Sequence, residues 1–330
     1  MKYSFGAASD AAPSSDGLGA DRGMLTGAFG FADASVAGAS SFAGSGAHAH
    51  DVASAWRCGD REFVLAQPLI MGILNVTPDS FSDGGAHNDP QGAVAFANRM
   101  VEDGADIIDV GGESTRPGSD EVGIAEERDR VLPVVEALVA EGLTVSIDTR
   151  HAEVAQACVE AGAAIINDVT GFRKADMRKV AQSCEAGLVV MHMAGEPKTM
   201  QNDIHYDDVV AEVSTYLVDR AHLLEACGIA HERICIDPGP GFGKTAEHNL
   251  QMLAHTAEMA QLGYPLLAAY SRKGFIGMVT GVEVAADRVA GSVAVALMAL
   301  ERGASVFRVH DVKQTREAFA MYEAMREARS

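Results

Sequence analysis

The chain has 330 residues, is 48% hydrophobic, and carries a formal net charge of −20 from 46 acidic against 26 basic residues. That is enough apolar material for one large α/β barrel or two ordinary domains, while the acidic field argues against nucleic acid or an anionic membrane as partner. No apolar run approaches the roughly 18 residues of a membrane helix. Five scattered cysteines without a C-x-x-C pair point to a reducing compartment, hence the cytoplasm, and not to structural zinc. Lys2 is not followed by a continuous apolar segment, so no secretory signal is expected.

Residues 1–54 are rich in Gly, Ala and Ser and hold no helical or strand period, which predicts a flexible, disordered N-terminal extension ahead of a domain spanning 55–330. Two short runs, at Ala55–Arg57 and Glu62–Leu65, flank Cys58-Gly59-Asp60 and predict a small hairpin. From Pro68 onward one design recurs: a short apolar run ends in a polar residue and a turn, then an alanine-rich amphipathic stretch follows. The runs are LIMGIL before Asn75, IIDV before Gly111, TVSI before Asp148, AAII before Asn167, LVVM before His192, ICI before Asp237, LLAAY before Ser271 and SVF before Arg308. Between them the spacing is helical, as in Val209, Val213, Tyr216, Leu217 and Leu224. Alternating strands and helices imply parallel pairing, and eight units favour a (β/α)8 TIM barrel over a doubly wound open sheet. The apolar stretch Val289, Val293, Ala296, Leu297, Leu300 can pack on the barrel or form an interface between copies.

Active sites of such barrels lie at the C-terminal ends of the strands. Asn75, Asp109, Asp148, Asn167, His192, Asp237, Lys273, Arg308 and His310 are therefore expected to converge. Asp148, Asn167 and Asp237 together suit a flat heterocycle with a donor-rich edge, such as a 2-amino-4-oxo pyrimidine ring. Lys273, Arg308 and His310 sit on the last two units, where barrels bind phosphate, and Thr115 and Arg116 add a possible gate for an anion. The string GPGFGKT from Gly239 is not a Walker A loop, because Pro238 stands where its first Gly is needed. GESTR lacks the second Gly of a nucleophile elbow.

The motifs LNVTPDSFSDGG, DVGGESTRPG, IDT, INDVTG, MHMAGEPKTMQ, IDPGPGFGK, YSRKGFIG and RVHDV stand in an order that resembles the dihydropteroate synthase family of pterin-binding barrels, over about residues 55–325. The resemblance implies two substrates, a 7,8-dihydropterin methyl diphosphate and p-aminobenzoate. It implies that Asp148, Asn167, Met191, Asp237 and Lys273 hold the pterin, and that Thr115, Arg308, His310 and Asn75 meet the diphosphate. Asn75 would also touch Mg2+, the implied cofactor. Phe81, Arg116, Phe242 and Ser271 would frame the aminobenzoate, where sulfonamides would compete. The implied catalytic set is Asp83, facing a cation at the exocyclic methylene, with Lys273, Arg308 and His310. A homodimer is implied as well. Two alternatives in the same fold are a methyltetrahydrofolate–corrinoid methyltransferase and a catalytically silent pterin-binding paralogue.

Overall fold

Successive side chains along a strand point to opposite faces, so a run that is apolar at every position must be buried on both. The short runs of this chain are of that kind. The computed structural model describes residues 53–76, 90–113, 122–195, 200 and 204–328. The expectation of a disordered extension falls on residues outside that set. An antiparallel hairpin comes first, β1 (Ala55–Cys58) and β2 (Arg61–Val64), turning at Gly59 and Asp60 as expected.

Eight parallel strands follow: β3 (Leu69–Asn75), β4 (Ile107–Gly111), β5 (Val145–Asp148), β6 (Ile165–Asp168), β7 (Gly187–Met191), β8 (Ile234–Asp237), β9 (Leu267–Ala268) and β10 (Val306–Val309). They pair in the order β8-β7-β6-β5-β4-β3-β10-β9. A single bridge, Ile236 to Leu266, joins the two ends, supported by Ile236 N donating to Pro265 O at 2.9 Å. The result is a nearly closed (β/α)8 barrel. Surrounding it are α1 (Pro90–Glu102), α2 (Ile124–Ala140), α3 (Ala152–Glu160), α4 (Ala175–Ser183), α5 (Val209–Ala226), α6 (Ala246–Ala254), α7 (Thr256–Met259), α8 (Gly274–Thr280), α9 (Val289–Glu301) and α10 (Val312–Glu327).

The two strand faces feed two cores. Ile70, Leu74, Ile108, Val110, Ile147, Ile166, Leu188, Val190, Ile236 and Phe307 pack outward against the helices. Leu69, Met71, Ile107, Ile165, Val189, Cys235, Leu267 and Val306 form a separate cluster inside the barrel. α5 shows how the helices complete the outer layer. Its expected stripe is in place, with Val209, Val213, Leu217 and Leu224 buried, and Asp208 accepts from Val210 N and Ala211 N to cap its start. Each such side chain contributes about 1.5–3 kcal/mol by leaving water.

The hairpin closes one end of the barrel. Trp56 and Cys58 belong to the inner cluster, and the indole Nε1 donates to Arg233 O at 3.0 Å. Gly187 makes this seat possible, since a Cβ there would meet Cys58 Sγ at 2.4 Å. The LLAAY run behaves differently from expectation: only Leu267–Ala268 is strand. Tyr270 O accepts from Lys273 N at 3.1 Å, so the chain is already turning where the run is still apolar.

Trp56→Ala is expected to lower unfolding free energy by about 3–5 kcal/mol, since a fully buried aromatic plug is replaced by a cavity. Urea denaturation followed by far-UV circular dichroism measures it, and a loss below about 1 kcal/mol would mean the hairpin does not brace the barrel.

Candidate active site

The alternation that places Ile107, Ile165, Cys235 and Val306 inside the barrel places Asp109, Asn167, Asp237 and Arg308 two residues further along the same face. Register then sets neighbours: Asp109 lies beside Ser146, Asp148 beside Asn167, and Met191 beside Asp237. Arg308 reaches from β10 to two other strands, donating from Nε to Asp109 Oδ2 and from Nη2 to Asp148 Oδ2, each at 2.6 Å. Asn167 Nδ2 donates to Asp109 Oδ2 at 3.3 Å. Of the Arg308 side chain 19% is exposed, of Asp109 none and of Asp148 11%, so the triad faces the mouth from a largely dry site.

Burial dominates the electrostatics. It pushes the Asp148 carboxyl up to about 7, because desolvation and the neighbouring Asp109, Glu127 and Asp168 outweigh the pull of Arg308. It lifts Asp237 to about 6, against hydrogen bonding from Gly239 and the attraction of Lys273, Lys244 and Arg308. Burial alone would lower the Arg308 guanidinium, but Asp109 and Asp148 more than reverse this and hold it above its ordinary value. Two carboxyls that titrate near neutrality beside a fixed cation make a site able to read donors and hold an anion.

The turn after β9 supplies the rest of the cationic side. Arg272 adopts φ 59, a left-handed conformation that costs a β-carbon residue about 1–2 kcal/mol. Its guanidinium is held by Asp311 through Nε–Oδ2 at 3.0 Å and Nη2–Oδ1 at 2.6 Å, and its N–H donates to Ser292 Oγ at 2.9 Å. Ser271 and Lys273 flank this fixed residue. Ser271 Oγ meets His310 Nδ1 at 3.1 Å, and Lys273 Nζ stands 4.4 Å from the centroid of Phe242. Phe242 itself packs with Val169, Met191, Met193 and Met200 in an apolar wall.

Asn75 ends β3 next to this group. A Cβ added at Gly111 would lie 3.8 Å from both Asn75 Oδ1 and Asp148 Oδ2, so glycine leaves the amide oxygen and the carboxylate facing the same small space. The structure thus gathers Asn75, Asp148, Asn167, Met191, Asp237, Arg308, Lys273, His310, Ser271 and Phe242 at one end of the barrel. Phe81, Asp83, Thr115 and Arg116 lie outside the described residues.

One expected member points away. His192 follows Met191, and the next position along a strand faces outward. Its ring meets Tyr216 of α5 edge-on with centroids 4.8 Å apart, and its Nδ1 meets Lys244 Nζ at 2.8 Å. Burial and the nearby Lys244 push the His192 pKa down to about 3, so the ring is neutral. Sequence reasoning left two residues without a role. Asp109 is anchored by Arg308, and its phase with Ile107 was the available signal. Lys244 had none, because its partners are backbone carbonyls and a residue from another strand.

A sequence profile of pterin-binding enzymes matches residues 71–310. Dihydropteroate synthase of Escherichia coli K12 is 48% identical over 261 residues, which cover 79% of this chain and 92% of the relative. Among solved structures, Xanthomonas albilineans dihydropteroate synthase with 4-aminobenzoic acid is similar at 47% identity and a TM-score of 0.79, covering 83% of this chain and 98% of that one. The Xanthomonas albilineans enzyme in complex with 7,8-dihydropteroate gives 45% identity and a TM-score of 0.76, covering 82% and 98%.

A ligand edge that donates hydrogen bonds needs the carboxylate forms of Asp148 and Asp237. Each is present above its pKa and lost as pH falls through about 7 and about 6 respectively. Affinity for a 2-amino-4-oxo pyrimidine ring should therefore rise with pH, by roughly tenfold per unit between about 6 and about 7 where one proton must be displaced, and more steeply below about 6 where two must be. Calorimetric titration from pH 5 to pH 8 checks this, and Asp237→Asn should flatten the profile. A wild-type affinity independent of pH would contradict the assignment of these two groups.

Proposed function

The chain belongs to the family of pterin-binding enzymes, and within it we propose that this chain works as a dihydropteroate synthase, joining 7,8-dihydropterin-6-ylmethyl diphosphate to p-aminobenzoate. The products are 7,8-dihydropteroate and diphosphate, in folate biosynthesis, so the activity is transfer of an alkyl group other than methyl. One observation carries the reading: Arg308 contacts Asp148 at 2.6 Å. In the substrate a single methylene separates the donor-rich ring from the diphosphate. The donor-rich edge lies at the far end of the bicyclic ring from that methylene, so carboxylates for the ring and a cation for the anion must share one pocket.

In this reading Asp148, Asn167 and Asp237 take the pterin edge, Met191 packs on its face, and Lys273 adds a donor. Arg308 and His310 receive the diphosphate as the carbon–oxygen bond breaks, so the leaving charge develops against fixed cationic donors. The aromatic amine then forms the carbon–nitrogen bond and loses a proton. Phe242 and Ser271, with Phe81 and Arg116 from the loops, frame the aminobenzoate, and sulfonamides compete there. Thr115 assists the diphosphate and Asp83 faces the methylene cation.

Asn75 fits a Mg2+ ligand: a neutral amide oxygen at a strand end, beside the carboxylate of Asp148. Mg2+ takes one or two protein oxygens and fills its octahedron with water and substrate phosphate, so a sparse protein set suits it. Bound there, it would neutralise part of the diphosphate charge. The half-exposed Val289, Val293, Leu297 and Leu300 on α9, with Met278 and Met298 exposed nearby, support a homodimer through this face. Unpaired thiols at Cys58, Cys158, Cys184, Cys227 and Cys235 support a cytoplasmic setting.

The direct test is diphosphate release from the dihydropterin substrate, dependent on p-aminobenzoate and Mg2+. Arg308→Ala should lower kcat by about 10²–10³, the range seen when one charge-stabilising donor is removed. The fold should persist, because Asp148 titrates near 7 and can take up a proton in place of its lost partner. Near-normal turnover in that variant would sink the assignment of Arg308.

A further inference from the structure

Lys244 has no part in the reaction as proposed, yet it is 4% exposed and its Nζ is surrounded by acceptors. Gly239 O lies at 3.0 Å, Phe242 O at 3.1 Å, His192 Nδ1 at 2.8 Å and His192 O at 3.5 Å. An aliphatic chain of the same length would fill this space without the cost of burying an amine. What the amine adds is direction, because its bonds converge from the loop after β8 and from the end of β7.

That loop has little stiffness of its own. Gly239, Gly241 and Gly243 all take positive φ, at 62, 84 and 65°. Gly239 also presses so closely on β7 that a Cβ would fall 2.0 Å from His192 O. The one large side chain the loop presents to the mouth is Phe242, whose ring carries the Lys273 ammonium 4.4 Å from its centroid. The neutral imidazole of His192 offers Nδ1 as acceptor when Nε2 carries the hydrogen. Burial brings Lys244 down to about 7, and in its amine form two N–H groups remain for the nearer carbonyls, those of Gly239 and Phe242, while Nδ1–H of the other tautomer can fill the lone pair.

We infer that Lys244 is a positioning residue for the aminobenzoate half of the site: its side-chain amine ties the 239–244 loop to the end of β7 and thereby fixes the Phe242 ring under Lys273. The inference rests on the synthase reading above and assigns to it a residue that touches neither substrate. Its signature is selective. The pterin carboxylate Asp237 belongs to β8 and keeps its strand pairing, whereas Phe242 depends on the loop.

Lys244→Met, assayed as full-length protein by diphosphate release, is expected to raise KM for p-aminobenzoate at least tenfold. KM for the pterin diphosphate, measured at pH 8 where Lys244 is already largely neutral and its loss changes little of the charge around Asp237, and kcat at saturation should stay within threefold of wild type, and circular dichroism should be unchanged. Unchanged KM for p-aminobenzoate would overturn the inference. So would equal losses in both KM values and kcat, which indicate general loosening. Should Lys244→Met not fold, His192→Phe keeps the ring packing on Tyr216 and removes the acceptor. It should raise the same KM about threefold, and no change there overturns the tether. A wild-type protein that releases no diphosphate overturns the synthase reading and this inference together. An active wild type with an indifferent Lys244→Met overturns this inference alone.

Discussion

Arg308 lies between Asp109 and Asp148, 2.6 Å from each, in the mouth of a barrel belonging to a chain of net charge −20. Taking a carboxylate out of water costs several kcal/mol even after relaxation, and a buried pair recovers that only with good geometry and further hydrogen bonds. The guanidinium supplies both carboxylates at once from its fixed fork, and Asn167 adds a donor to Asp109. The contact demands three strands in correct phase, since β10, β4 and β5 must each turn its own charged residue inward. A one-residue slip in any of them would send its charge into the helix layer. The triad is therefore both a consequence of barrel register and a penalty against other registers.

The same triad sets the terms on which a ligand binds. In the proposed reaction Asp148 serves the pterin and Arg308 serves the diphosphate, so each must exchange its present partner for the substrate. A charged group already out of water and already paired loses little in that exchange, and the net gain is a difference between two sets of good hydrogen bonds. The catalytic advantage comes from preorganisation. The cation faces the leaving group without waiting for solvent to reorient, and the carboxyl that releases it is poised near neutrality. A substrate carrying only the ring or only the anion would leave one partner of the pair exposed to a mismatch, which favours molecules that contain both.

Much of this was legible in the sequence because β-barrel geometry ties function to periodicity. Eight apolar runs ending in polar residues were enough to place Asp148, Asn167, Asp237 and Arg308 together, and the barrel carries them there. His192 misled because it ends a run on the odd phase: Met191 takes the inward place and His192 turns to Tyr216. LLAAY over-predicted strand because composition does not report where a chain leaves a sheet. There the strained turn at Arg272, clamped by Asp311 from 39 positions away, decides the path. Lys244 was illegible for a related reason. Its partners are carbonyls, which every residue has, so no residue pattern announces them.

How an acidic protein holds a polyanion follows from where its cations sit. At physiological ionic strength charges beyond about 8 Å in water are largely screened, so the surface excess of acid has little reach into the mouth. Inside, the low dielectric extends the influence of the nearer groups, and those are mixed: Asp237 feels Lys273, Lys244 and Arg308 together. Two of these cations face the mouth, while Lys244 lies beneath it, bound to carbonyls. The Arg272 guanidinium is likewise engaged, with Asp311. Structural cations thus shape the loops, and in the proposed reaction Arg308 meets the anion while Lys273, over the Phe242 ring, serves the pterin. This division also explains why the apolar floor matters. With Trp56 sealing the lower end, the inner cluster keeps water from reaching the triad from below, and the polar mouth can work at the strength its geometry allows.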